Sequence, residues 1–502
     1  MNSEAFFNHH GLHANPFRAE EARQDRVFEQ IEEACRHPEF EKILGDLDRP
    51  ASSVVFGERG AGKTALRIQI EDAVAQSNLD RTDGQCLVIA YDDFNNVLSR
   101  LCEHKGMLDP SDAVSSITLS DHLDAVLNLA VAPLVDAALN SKERTEGPYS
   151  GIKDVRKNIR AASASTRADM QMLQVCYDRA ENGSRRGDRL RRSLQLGSRP
   201  HPGAYKWLAI LSVVIAAGWS VAVGVGAVKE GWISWIPSIL LLLGAGSSAI
   251  WWLRLRMSTQ GVARRLAKSI RVSDRDVQGF RDVLSVISRD RLVGGDWPQE
   301  GSDEARFRML DRLARVLAAI GVRGIFVLVD RVDEPVAING DPERMRAFMW
   351  PLFRNKVLQL GGVGFKFLLP LEVRDSLYRE SPEFFREARL DKQNLVERLS
   401  WSGPMLYDLC TARYRACCES ESNAGLMDLF DEGVVRQDVV DALDQMHQPR
   451  DAFKLMYGLI QEHCSNVTHE QSEFKISRTV LDVVKKRQVE RRDALMRGSR
   501  PA

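Results

Sequence analysis

The residues best equipped for chemistry are Gly57-Glu58-Arg59-Gly60-Ala61-Gly62-Lys63-Thr64. The pattern G-x-x-x-x-G-K-T wraps successive backbone N–H groups around phosphate oxygens. Glycines are needed because a Cβ would block that approach. Lys63 would reach the outer phosphates of a nucleotide, and the Thr64 hydroxyl would hold Mg²⁺. Such a loop needs a strand to enter it and a helix to leave it. Val54-Val55-Phe56 is a short β-branched and aromatic run just before it, and Ala65-Leu66-Arg67-Ile68-Gln69-Ile70 reads as helix just after. The helix N-terminus would add partial positive charge beneath the phosphates. The expected nucleotide contacts therefore run from Gly57 to Ala65.

A second chemical group lies far downstream. Gly324-Ile325-Phe326-Val327-Leu328-Val329 is a continuous apolar run, as in a central parallel strand covered on both faces. Asp330 at its end is placed to bind Mg²⁺. Asp333 and Glu334 follow, and one of them would polarise an attacking water. Lys63, Asp333 and Glu334 are the expected catalytic residues, and Thr64 with Asp330 the expected metal ligands.

Between these two groups lie two uncharged apolar stretches, 207–228 and 232–253, joined by Lys229-Glu230-Gly231. As helices of 22 residues, each would be about 33 Å long, enough for a hydrocarbon core of about 30 Å. Tyr205, Trp207, Trp232, Trp235, Trp251 and Trp252 mark the interfaces. Residues 182–206 carry seven Lys or Arg against Asp188, and residues 254–275 carry seven against Asp274. Positive flanks stay inside, so the pair is expected as a hairpin with both soluble ends cytoplasmic, in the cell inner (plasma) membrane. The flanks would also attract anionic lipid headgroups.

The two motifs together resemble the STAND and AAA+ branch of P-loop NTPases. Asp330-Arg331-Val332-Asp333-Glu334 is similar to the D-x-x-D-E strand end of NACHT-type ATPases. A membrane hairpin between the motifs resembles the KAP family, whose members usually carry a second Asp where this chain has Arg331. Asn15-Pro16-Phe17, and then Phe40, resemble the entry segment of bacterial AAA-type ATPases. The resemblance implies an α/β fold with a parallel-sheet core, a helical lid and an inserted two-helix transmembrane hairpin. It implies ATP and Mg²⁺ as ligands. It points to Glu372 and Arg374, after the strand Phe365–Pro370, as γ-phosphate sensors. Arg450, at the start of a lid helix, would contact nucleotide, and Arg354, Arg386, Arg389 or Arg398 would act in trans at a subunit interface.

The elements that position these groups divide the chain into six expected segments. Residues 1–50 form a helical entry segment. Residues 51–180 hold the first part of the core and include a strand, Cys86–Tyr91, ended by Asp92 and Asp93. Residues 181–275 hold the hairpin and its flanks. Residues 276–394 hold the second part of the core, 395–468 the helical lid and 469–502 a basic tail. A single helix is expected over 111–141, capped by Ser111 or Asp112, and another from Ser302-Asp303-Glu304 to about Ala319. His9, His10 and His13 read as an unstructured N-terminus. The eight cysteines lack zinc spacing and imply reduced thiols. The 502 residues carry 69 basic and 69 acidic side chains, so no global field favours nucleic acid, which remains a partner without sequence support.

The expected function is a membrane-anchored, ATP-hydrolysing switch or scaffold on the cytoplasmic face. It would be a homo-oligomer with partner proteins encoded nearby, and the resemblance to KAP-like and STAND proteins implies a role in bacterial signalling or antiphage defence. The alternative is a membrane-tethered AAA+ motor or loader acting on DNA or protein.

Overall fold

The computed structural model describes residues 1–19, 22–31, 36–81, 83–139, 147–181, 183–196, 202–225, 235–285, 287, 292, 294–353, 356–388, 390, 394–419, 424–468 and 473–496. It is an α/β structure, mostly helical, with one sheet of five parallel strands. The strands are β1 (Ser53–Gly57), β2 (Gln85–Tyr91), β3 (Val322–Val329), β4 (Val363–Pro370) and β5 (Asn394–Val396), in the order β2-β3-β4-β1-β5. β1 lies between β4 and β5, with Val55 opposite Leu368 on one side and Val396 on the other. Every residue of β1 and β4 is buried, which explains why both are mostly apolar rather than alternating, with Lys366 the charged exception in β4.

The chain forms two compact units. The first comprises Met1–Ser77, Phe326–Arg346 and Lys356–Ala502. Its helical part is built from Gly403–Ala416, Arg436–Asp444, Pro449–Asn466 and Arg478–Met496 around a core that includes Leu406, Cys410, Leu443, Leu455, Leu459 and Leu481. Phe6, Leu12 and Phe17 join that core. The N-terminal fifty residues are therefore not the helical entry expected: the described ones hold only the short α-helices Ser3–His9 and Phe40–Leu44 and two 3₁₀ turns. Tertiary contacts fix them instead. His10 Nε2 is 2.8 Å from the Phe474 carbonyl and His13 Nδ1 is 2.6 Å from that of Cys417, so the histidine cluster is ordered.

The second unit comprises Asn78–Ile325 and Ala347–Asn355. The single helix expected over 111–141 is two, Pro110–Ser116 and Leu119–Leu139, and the first is capped by Asp109 rather than Ser111 or Asp112. The break has a local cause. The Asp121 carboxylate accepts from the Thr118 N–H (2.8 Å) and hydroxyl (2.7 Å), which starts a new helix. Ser302 caps Asp303–Ala319 as expected, accepting from Ala305 N. Asp93 caps the helix Phe94–Lys105, accepting from Asn96 N.

Among the described residues, three helices are long and apolar enough to cross a membrane: Leu119–Leu139, Ala204–Val223 within Pro202–Gly224, and Ile236–Ser269. They differ in burial. The most apolar window of the first is 72% buried within the protein, against 11% for each of the others. The last two pack along each other, with Ser220 Oγ 3.1 Å from Ser238 Oγ. The expected turn at 229–231, with Trp232, lies outside the described residues. The second of the pair does not end at Leu253; it continues through the basic residues to Ser269.

A buried ionic network fixes the end of that helix. Arg306 and Asp124 are both fully buried and 3.0 Å apart, and Tyr177 donates to Asp124 at 2.9 Å. Arg306 also donates to the carbonyl (2.6 Å) and hydroxyl (2.9 Å) of Ser269. Arg271 pairs with Asp121 and donates through Nε at 2.8 Å. A buried pair of this kind is costly to break, because each lost partner strands a charge away from water.

Candidate functional site

β1 and β3 deliver their chemistry at their C-terminal ends, as expected for ligand sites of parallel α/β sheets. β1 ends at Gly57, the chain turns through 58–62, and the helix Lys63–Leu79 begins at once. Gly60 (φ +100°) and Gly62 (φ +95°) hold conformations that a side chain would strain. A Cβ on Gly60 would also lie 2.9 Å from Arg450 Cβ. The turn is closed by the Ala61 N–H bonding to Glu58 O (3.1 Å) and the Leu66 N–H to Gly62 O (2.8 Å).

Lys63 folds back over this turn, and its Nζ donates to Gly57 O (2.7 Å) and Glu58 O (2.9 Å). Burial pushes the Lys63 ammonium down, opposed by the carboxylates of Asp333, Asp330 and Glu372. The Thr64 hydroxyl donates to Asp330 Oδ2 at 3.0 Å. Asp330 is 1% exposed; burial pushes its carboxyl up, and the Thr64 bond and Arg67 pull it back. Residues 267 positions apart in sequence, Lys63 and Asp330, thus belong to one constellation.

Past Asp330 the chain turns through Arg331 at φ +63°, an unusual conformation for a residue with a Cβ. The turn places Arg331 Nε 3.1 Å from Glu334 Oε2. Burial pushes the Glu334 carboxyl up, with Arg331 opposing and Asp333 reinforcing. Arg450, at the start of Pro449–Asn466, donates its backbone N–H to Gly60 O at 3.4 Å.

One cleft collects Arg59, Gly60, Gly62, Lys63, Thr64, Ala65, Asp330, Asp333, Glu334 and Arg450. Gly57, Glu58 and Ala61 shape the turn from outside that cleft; Glu58 and Ala61 line a smaller neighbouring hollow with Trp401 and Gln448. Glu372 is close enough to act on the charge of Lys63, but Arg374 turns to Asp375 (2.9 Å) and does not line the cleft. Arg398 pairs with Glu58 in the same chain, and Arg386 with Glu383 at 2.9 Å. Arg354 and Arg389 lie outside the described residues. No protein-family model, curated protein or solved structure matches this chain.

The structure adds residues that the sequence did not single out. His37, Trp401 and Phe453 line the cleft, together with Asp25 and Arg413. Trp401 Nε1 donates to Ala61 O at 2.9 Å, and His37 Nε2 is 2.9 Å from Ser400 O. Arg413 is 1% exposed, donates to Pro16 O (2.8 Å), pairs with Asp25 and stacks over Phe453 at 4.4 Å. These residues are scattered over four hundred positions, so no spacing rule could have grouped them. Only the Pro-started helix at Pro449, which placed Arg450, gave a local signal.

The arrangement fits a phosphate chain bound with a divalent cation. Gly60, Gly62, Lys63 and Ala65 line the cleft, and Thr64 and Asp330 together present oxygens at hydrogen-bond separation. Two buried atoms beside the turn, Arg450 Nε and Gln448 Oε1, have no hydrogen-bond partner among the described residues. Such atoms are costly to bury and mark a place where an external partner is missing.

Proposed function

We propose that this chain is a membrane-anchored P-loop ATPase that works as a nucleotide-dependent switch. The observation that carries the reading is the 3.0 Å contact between Thr64 and Asp330, made inside a cleft that also holds Lys63, Glu334 and Arg450. The KAP-like and NACHT-like resemblance of the motifs supports it.

ATP is the substrate in this reading. The backbone of residues 60–65 and the Lys63 ammonium hold its phosphates; Thr64 and Asp330 would hold Mg²⁺, which when bound would supply positive charge against the phosphate oxygens. Lys63 leaves the carbonyls of Gly57 and Glu58 to do so. Glu334 takes a proton from water as the water oxygen bonds to the terminal phosphorus and the bond to ADP breaks. The raised pKa of Glu334 suits a general base better than an ordinary surface carboxylate. Glu334 must first be released from Arg331. Arg450 closes over the phosphates and transmits their presence to the helical part of its unit.

The two exposed apolar helices, Pro202–Gly224 and Ile236–Ser269, are the membrane anchor, and Leu119–Leu139 is a core helix. An even number of spans returns the chain to the side it left, with its basic flanks cytoplasmic. Particle mass in detergent tests the switch, using wild type and Glu334→Gln with ATP–Mg²⁺ and with ADP. A larger particle with ATP, persisting in the variant, is expected. An unchanged mass in every state would overturn the switch.

A further inference from the structure

The second unit neutralises its arginines with care. Arg186 meets Asp136 (2.7 Å) and Asp178 (2.8 Å), Arg306 meets Asp124, Arg271 meets Asp121, and both Arg312 (2.6 Å) and Arg315 (2.9 Å) meet Asp169. Some arginines lack such a partner, and three of these come together. Arg156, Arg189 and Arg192 converge with Ser193 and Leu139 on one concavity, and among the described residues no carboxylate lines it. Among the described residues none of the three has a carboxylate partner; Arg192 only donates Nε to its own helix, at Asp188 O (3.3 Å). Ser193 Oγ is buried there without a hydrogen-bond partner among the described residues.

The packing explains how these groups are forced together. Arg156 sits on the helix Val155–Ala161, and Arg189, Arg192 and Ser193 on Gly183–Ser193. Both helices pack against Leu119–Leu139, which ends at the concavity. Leu190, 1% exposed, and the buried Gly187 point the other face of the second helix inward, and Arg189 and Arg192 face out. Three like charges at the rim of one hollow repel one another unless an anion joins them. Guanidinium groups suit a phosphate, which they bind through paired N–H donors.

We propose that Arg156, Arg189, Arg192 and Ser193 form a second anion site, for a phosphate group, separate from the cleft at Lys63. An anionic lipid headgroup is the favoured source of that phosphate. The helix Gly183–Ser193 packs against Val277–Leu284, which packs against Ile236–Ser269. On that last helix burial resumes at Thr259, five residues past Arg254 where the apolar stretch ends, or about 8 Å along the axis. The site is thus tied to the base of the helices read above as the anchor. The lipid source rests on that membrane reading; the phosphate site does not.

The test uses the full chain in nanodiscs of neutral phosphatidylcholine and in discs containing phosphatidylglycerol. Hydrogen exchange is followed in residues 155–161 and 183–193. A third arm adds inorganic phosphate or pyrophosphate to neutral discs. Two variants remove equal charge: Arg156→Gln/Arg189→Gln/Arg192→Gln at the concavity, and Lys153→Gln/Lys157→Gln/Arg160→Gln beside it. Several-fold slower exchange with phosphatidylglycerol, in wild type and the neighbouring variant but not in the concavity variant, is expected. Protection by soluble phosphate alone would support the site and assign it a free ligand. Equal responses of the two variants, or no protection in any arm, would overturn it. A chain that stays soluble without detergent would remove the membrane reading, yet the phosphate arm would still be readable.

Discussion

Two lysines of the first unit, the half-buried Lys63 and the buried Lys366, differ in what surrounds them. Lys366 is fully buried in β4, and its Nζ donates to three carbonyls, Ile43 (2.6 Å), Leu44 (2.9 Å) and Ala51 (2.7 Å). An ammonium has three hydrogens, so Lys366 is complete. It clamps the segment after Phe40–Leu44 onto the sheet and faces the ring of Phe326 at 5.3 Å. Lys63 donates to only two carbonyls, both in its own turn, and borders an open cleft shared with Asp330, Asp333 and Glu334. A lysine with every donor used holds a structure together. A lysine with a donor to spare, beside carboxylates and a glycine turn, can exchange its partners for a ligand.

If that contrast marks a working cleft, the largest effect belongs to the carboxylate in it. Glu334→Gln is expected to lower ATP turnover by about 10²–10⁴-fold, the usual contribution of a positioned base, while ATP affinity stays within a few-fold. Phosphate release and equilibrium binding measured together check this. Turnover unchanged in Glu334→Gln would transfer the role to Asp333.

Lys366→Met sharpens the other side of the comparison. It leaves three carbonyls without their donor, at roughly 1–3 kcal/mol for a buried unsatisfied group, partly offset by removing a desolvated charge. Urea unfolding should show a loss in that range, and the folded variant should bind ATP like wild type. A loss of ATP affinity without a loss of stability would erase the distinction.

The same lysine also makes stability depend on pH. Burial pushes the Lys366 ammonium down to about 7 from an ordinary value of 10.5. Between those values the unfolded chain holds a proton that the folded one lacks, so stability rises with pH, by at most about 1.4 kcal/mol per unit. Below about 7 both states are protonated and this contribution is flat. Unfolding midpoints from pH 6 to 10 should show the rise in wild type and lose this part of it in Lys366→Met.

The smallest expected effect is at Arg331. Arg331→Gly removes the ion pair to Glu334 and suits the φ of +63°. The pair is partly exposed and so weak, worth about 0–1 kcal/mol. Turnover should rise by no more than a few-fold. A fall would mean that Arg331 supports catalysis rather than restraining Glu334.

How much of this was legible in the sequence depended on whether the signal was local. The glycine turn, β1, β3 and the Ser302 cap each depend on neighbours a few positions apart, and pattern reading found them. Thr118-Leu119-Ser120-Asp121 carries a capping signature that would have divided the 111–141 segment, had it been weighed against the apolar periodicity. The ordered N-terminus could not be read. Phe6 meets His463 edge-to-face with ring centres 5.5 Å apart, and Arg413 pairs with Asp25, contacts that no window of sequence contains. The cleft was legible at its phosphate end, where spacing dictates chemistry. It was opaque at the end lined by His37, Trp401 and Phe453, where tertiary packing does.

The central claim is that the turn at Lys63 and the strand end at Asp330 make one nucleotide site. Calorimetric titration of ATP–Mg²⁺ into the purified wild type and Lys63→Ala tests it most directly. The account predicts saturable binding by wild type and a loss of at least tenfold, about 1.4 kcal/mol, in a variant with an unchanged melting temperature. Equal affinities in the two proteins, or no binding by wild type, would contradict it.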